Sequence, residues 1–154
     1  MKETFRARLT TFCFFFMGLW ISLIAITVSW IATEDILSGT DWSTTVVSLA
    51  FFIPELLAKV LSPFIVRRIP FLCSMIALTL LLVGALLVIV LIKNVEVRVA
   101  GIGIHGAAYS FGQVACYAML SYYKNADDYA MLFSWGLNVA ALLSSLGYTG
   151  NCFS

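Results

Sequence analysis

The residues of this sequence best suited to chemistry sit where charge is costly. Glu55 and Lys59 interrupt the apolar stretch FFIPELLAKVLSPFIVRRIP at 51–70, spaced i, i+4 with the acid toward the N-terminus, and the same stretch holds Pro54, Pro63 and Pro70. On a helix that spacing and order favour an ion pair. A lone charge at mid-bilayer costs about 2.5–3.5 kcal/mol even on a lenient insertion scale, so both groups are expected to face neighbouring helices or a water-filled cavity. Pro54 lacks an N–H and frees a carbonyl one turn earlier, which again needs protein or water beside it. Two readings follow. In one, the pair belongs to a solute path, with Lys59 drawing a small anionic solute and Glu55 holding it or exchanging a proton; in the other, it is a structural ion pair that keeps helices in register.

A second polar ridge lies further on, where His105, Tyr109 and Gln113 recur at i, i+4 and i+8 and could meet Glu55 or Lys59 across a bundle. The sole histidine has no partners for a metal site, so it reads as a hydrogen-bonded interior residue, with a proton relay as the alternative. Cys13, Cys73, Cys116 and Cys152 show no C-x-x-C spacing and read as small packing residues, not as zinc ligands or a disulfide framework. GIGIHG at 101–106 matches G-x-G-x-x-G, follows the alternating VEVRV, and has Asp127 and Asp128 downstream. A dinucleotide site would need further strands and amphipathic helices, which the rest of the chain does not supply. Asp127 and Asp128 read as a solvated turn in the last loop. No Ser-His-acid set or paired carboxylate is assembled, so neither an enzyme nor a cofactor is expected.

The elements that must position these groups follow from composition. The chain is 62% hydrophobic and 11% charged, against about 45–50% and about 25% in soluble domains, too few polar side chains to coat a globule. The expected lipid bilayer contact excludes a separate soluble domain, and without a basic stripe nucleic acid is not an expected partner. About 20 apolar residues cross the hydrocarbon core, and five segments reach that length, near 10–31, 44–66, 71–92, 99–123 and 129–148. Runs such as LTLLLVGALLVIVLI lack the alternation of a barrel, so the expected fold class is all-α, a polytopic transmembrane helix bundle of five spans. The first run is too long for a signal-peptide core and lacks a cleavage site.

Charge sets the expected orientation. Lys2, Arg6, Arg8, Arg67, Arg68 and Lys124 fall on one side, Lys93 and Arg98 on the other, and the first loop holds Glu34, Asp35 and Asp41. The positive-inside rule then places the N-terminus in the cytosol. The third segment is apolar nearly all round and should face lipid. In the first, Gly18, Ser22, Ala25 and Ser29 recur at helical spacing, as do Ser134, Asn138, Ala141 and Ser145 in the fifth. Such small residues let backbones approach, and Gly101, Gly106 and Gly112 should do the same for the fourth. In the second segment Thr45, Ser48, Phe52, Glu55, Lys59 and Ser62 share one face.

These features in this order resemble the battenin family, lysosomal membrane proteins distantly related to the major facilitator superfamily. The resemblance rests on Asp35-Ile36-Leu37, on Pro54, Lys59 and Pro63 in IPELLAKVLSP, and on Ile69-Pro70-Phe71. It continues with Gly112 and Val114, and with Gly136, Ala140, Leu142, Leu143 and Tyr148. It implies a transport protein of the lysosomal or late endosomal membrane, associated with export of glycerophosphodiesters and with lysosomal pH balance. The chain departs from the family at Gln113, where an acidic residue is usual, and at Asn138 and Val139, where glycines are usual. The family's chain is also much longer, so this one is expected to be its N-terminal part, truncated after GYTGNCFS and completed by a second transporter half or by a homo-oligomer. The expected path residues are Glu55, Lys59, His105, Tyr109, Gln113 and Asn138; the expected packing residues are Gly18, Ser22, Pro54, Pro63, Gly101, Gly112 and Gly136. The competing expectation is a non-transporting membrane scaffold or regulator.

Overall fold

Helices account for almost all of the described chain, residues 2–26 and 43–151 of a computed structural model. In order they are α1 (Lys2–Ile26), α2 (Thr44–Val66), α3 (Phe71–Leu91), α4 (Val95–Leu120) and α5 (Ala126–Asn151). No strand occurs among the described residues. Ser29, Glu34, Asp35, Ile36, Leu37, Asp41 and Cys152 lie outside them, as do the side chains of Lys2, Arg6, Arg8, Ala25 and Tyr148.

Among the described residues three helices, α2, α3 and α5, are long and apolar enough to cross a membrane. The exception at the centre is α4, whose glycines, His105 and Gln113 lower its hydropathy, and it is the helix that the others surround. It packs along both α2 and α3 and touches α1, while α1 and α5 pair closely with each other. Burial therefore matches composition: polar and glycine-rich α4 is sheathed by protein, whereas large apolar side chains such as Phe64 of α2 and Leu72 of α3 remain outside. The third segment does not face lipid all round. Ser74, Leu78, Leu82, Ala85 and Ile89 form a buried stripe on α3, because a neighbouring helix needs one such seam.

Local chemistry moves several helix ends away from the sequence expectation. The amide of Glu96 donates to Asn94 Oδ1 at 2.9 Å, and Glu96 adds an acid at the positive helix end, so α4 begins at Val95 and VEVRV is helical. Arg98 Nε donates to Ile92 O at 2.6 Å and closes the α3–α4 turn. Asp127 and Asp128 belong to the first turn of α5 instead of a loop, again where the helix dipole favours acids.

The core knits the helices in two places. Ile21, Leu78, Leu82, Ala108, Cys116 and Phe133 join α1, α3, α4 and α5. Val47, Ile89, Val99 and Ile102 join α2, α3 and α4. Cys116 is thus a packing residue as expected, but Cys13 and Cys73 are exposed and fill no core gap. Phe14 of α1 stacks on Tyr129 and meets the edge of Tyr123. The N-terminal half of α1 therefore shares one end of the bundle with the α4–α5 turn.

Candidate functional site

Glu55 is held by α2 at its contact with α4. Helix α2 runs unbroken through Pro54 and Pro63. Pro54 leaves the carbonyl of Ala50 without its intrahelical donor, and α4 meets that carbonyl with Gly103, where an added Cβ would lie 3.1 Å from the Ala50 oxygen. One turn on, a Cβ at Gly106 would come within 2.5 Å of Phe51 O. The two glycines let α4 lie directly on the α2 backbone. Gly106 was expected on sequence grounds; Gly103 was not, because its role depends on a carbonyl freed in another helix.

Against this contact the ion pair forms as its spacing foretold: Lys59 Nζ donates to Glu55 Oε1 at 2.5 Å. The two partners differ in environment, with the Glu55 side chain 11% exposed and that of Lys59 46% exposed. The single polar face expected for α2 is split. Val47, Glu55 and Ser62 are buried, whereas Thr45, Ser48, Phe52 and Lys59 are exposed. Packing on α4 uses Val47, Ala50, Phe51 and Pro54, so the polar stripe lies along the edge of the contact and only part of it is covered.

Tyr109 of α4 is half-buried, with the Glu55 carboxylate and the Ser22 hydroxyl of α1 both within electrostatic reach of its own hydroxyl. Ser22 Oγ donates to Leu137 O of α5 at 3.2 Å. Glu55, Tyr109, Ser22 and Leu137 thus place polar groups of α2, α4, α1 and α5 near one another, with a hydrogen bond joining the last two. His105, one turn from Tyr109, is completely buried; Gln113, one turn the other way, is half-buried. Of the ridge expected on α4, Tyr109 lies within electrostatic reach of Glu55.

Asn138 is exposed and takes no part in this group. The stripe Ser134, Asn138, Ala141 and Ser145 is not the α5 seam, since Asn138 and Ser145 are exposed; Phe133, Gly136, Ala140 and Ser144 are buried instead. Backbone approach decides this face. A Cβ on Gly136 would collide with Phe15 O, and one on Gly18 with Phe133 O. Gly18, Ser22 and Gly136 are therefore the packing residues of α1 and α5. Gly101 and Gly112 receive α3, through Val88, Ile89 and Leu78. Pro54 abuts Gly103, while Pro63 is exposed.

Among the described residues no three His, Cys, Asp or Glu side chains come together as metal ligands. The buried assembly offers a carboxylate, two hydroxyls and an imidazole close to mid-helix, with an ammonium at its margin. That set can bind polar groups or hand on a proton. No curated protein and no solved structure matches the chain. Residues 12–152 match the CLN3 protein family, and the chain accordingly belongs to that family, the battenins.

Proposed function

We propose that this battenin-family chain resides in the lysosomal or late endosomal membrane as a multi-pass protein with a cytosolic N-terminus, and that it forms part of a path for a small anionic solute. Family membership supports the lysosomal membrane address. The observation that carries the transport reading is the Glu55–Lys59 pair, with its carboxylate turned inward to Tyr109 and its ammonium left accessible. Intramembrane charges facing a bundle interior mark solute and proton routes. In this reading Lys59 attracts the anion, and Glu55, Tyr109 and Ser22 hold it or pass a proton. A glycerophosphodiester, with its single phosphate charge, is the proposed solute. A second copy or a further transporter half completes the path.

The test is uptake of a labelled glycerophosphodiester into vesicles containing this chain. Lys59→Ala should abolish uptake while membrane insertion, read by resistance to alkaline extraction, is kept. Unchanged uptake would sink the transport reading. One observation favours a second reading: the pair is already closed within its own helix at 2.5 Å. A self-neutralised pair suits a scaffold or regulatory protein whose polar groups assemble helices, and such a protein would give no uptake at all.

A further inference from the structure

Where the α2–α3 and α4–α5 turns meet, the helices leave a cleft of ≈ 420 Å³, within the range of about 300–1,000 Å³ typical of ligand sites. Most of its wall is apolar, with Pro63 and Val66 from the last turns of α2, Phe71 from the start of α3, and Val114 and Ala118 from α4. Arg67 and Tyr122 also line it, and both are exposed. Neither Glu55 nor Lys59 lines it, so it is separate from the path described above.

The charge at this end is distinctive. Arg67 and Arg68 occupy the α2–α3 turn and Lys124 the α4–α5 turn, against Asp127 and Asp128 in the first turn of α5. Among the described residues no carboxylate pairs with Arg67. Helix α3 starts here after Pro70, without a side-chain cap, so its first amides are open and add the positive end of the helix dipole beside Phe71. A guanidinium supplies several donors in a planar fork suited to phosphate oxygens. Basic recesses between transmembrane helices on the positive side are suited to anionic head groups.

We propose that this cleft holds an anionic phospholipid of the adjoining leaflet, its phosphate on Arg67 and its acyl chain against Pro63, Phe71 and Val114. A water-soluble organic phosphate shares the head-group chemistry but would leave the apolar wall unmatched, so the lipid is the occupant that uses both parts. Tyr122 stands at the level where an aromatic hydroxyl meets head groups.

The experiment uses the full chain in phosphatidylcholine nanodiscs doped with a phosphatidic acid that carries a photoactivatable acyl chain, with cross-linked peptides identified by mass spectrometry. Labelling should concentrate on 63–71 and 114–122, fall about fivefold in Arg67→Gln, persist in Arg67→Lys, and survive Arg68→Gln. Equal labelling by a photoactivatable phosphatidylcholine, or labelling unchanged in Arg67→Gln, overturns the proposal. Displacement by soluble glycerol phosphate also overturns it, because the cleft would then take the free anion. Arg67 is exposed and outside the core, so loss of folding does not confound the variant.

Discussion

Gly103 of α4 lies against the carbonyl of Ala50 in α2, the acceptor that Pro54 deprives of its own helical amide, and a Cβ there would crowd that oxygen at 3.1 Å. Hydrocarbon offers no water to satisfy such an oxygen. A neighbouring Cα–H can, since Cα–H···O contacts recur where helices pack closely. Proline and glycine, which each weaken a helix alone, are complementary here across two helices.

Replacement of the α4 glycines should therefore rank by what a Cβ would meet. Gly106→Ala would press on the Phe51 backbone, which cannot swing away, and should cost about 1–3 kcal/mol in unfolding from micelles. Gly112→Ala meets only the side-chain tips of Leu78 and Ile21 and should cost less. Gly84→Ala on α3 meets nothing within 4 Å and should be neutral or stabilising. Equal stabilities for the Gly106 and Gly84 variants would show that α2 and α4 do not touch as described.

The α1–α5 seam makes a different prediction. Gly18 and Gly136 each face the backbone of the other helix, so either alanine substitution should force the pair apart. Once one has separated the helices, the second has little left to disrupt. The double variant should lose clearly less stability than the summed single losses, since residues sharing one contact are not additive. Additive losses in chemical unfolding would place the two glycines at independent contacts.

How far the sequence revealed this arrangement depended on the range of the interaction. The Glu55–Lys59 pair and the bounds of α2 were legible, because both depend on residues within a turn or two of each other. In the fifth helix Gly136 was expected to pack, but the stripe Ser134–Asn138–Ala141–Ser145 was read as the seam, since it and Phe133–Gly136–Ala140–Ser144 both step by three and four residues. Only the approach of Phe15 to Gly136 distinguishes them. The bond from Ser22 to Leu137 was equally out of reach, because a single serine in an apolar run looks the same whether it packs or bonds across helices.

The unequal exposure of the ion pair sets a further expectation. Lys59→Met strands a largely buried carboxylate, whereas Glu55→Gln leaves an ammonium that is half exposed and on a flexible stem. The lysine variant should be the less stable. Glu55→Gln combined with Lys59→Met should recover much of that loss, as removing both members of a buried pair is far milder than removing one. A double variant as unstable as Lys59→Met alone would mean that the carboxylate is stabilised by groups other than the lysine.

The polar group between helices is tested by its two hydroxyls. Tyr109→Phe keeps the ring beside Phe51, at a centroid separation of 6.3 Å, and removes only the oxygen. It should cost no more than about 1 kcal/mol, the usual net value of one buried hydrogen bond. Ser22→Ala should cost at least as much, because it removes the donor to Leu137 O and the hydroxyl within electrostatic reach of Tyr109. With Tyr109→Phe already present, however, Ser22→Ala removes only the donor to the carbonyl, so the double variant should lose less than the sum of the two singles. Unfolding measured for the four proteins of this cycle gives the coupling directly. A coupling of zero would separate Tyr109 from Ser22 and leave Glu55 without a polar connection to α1 and α5.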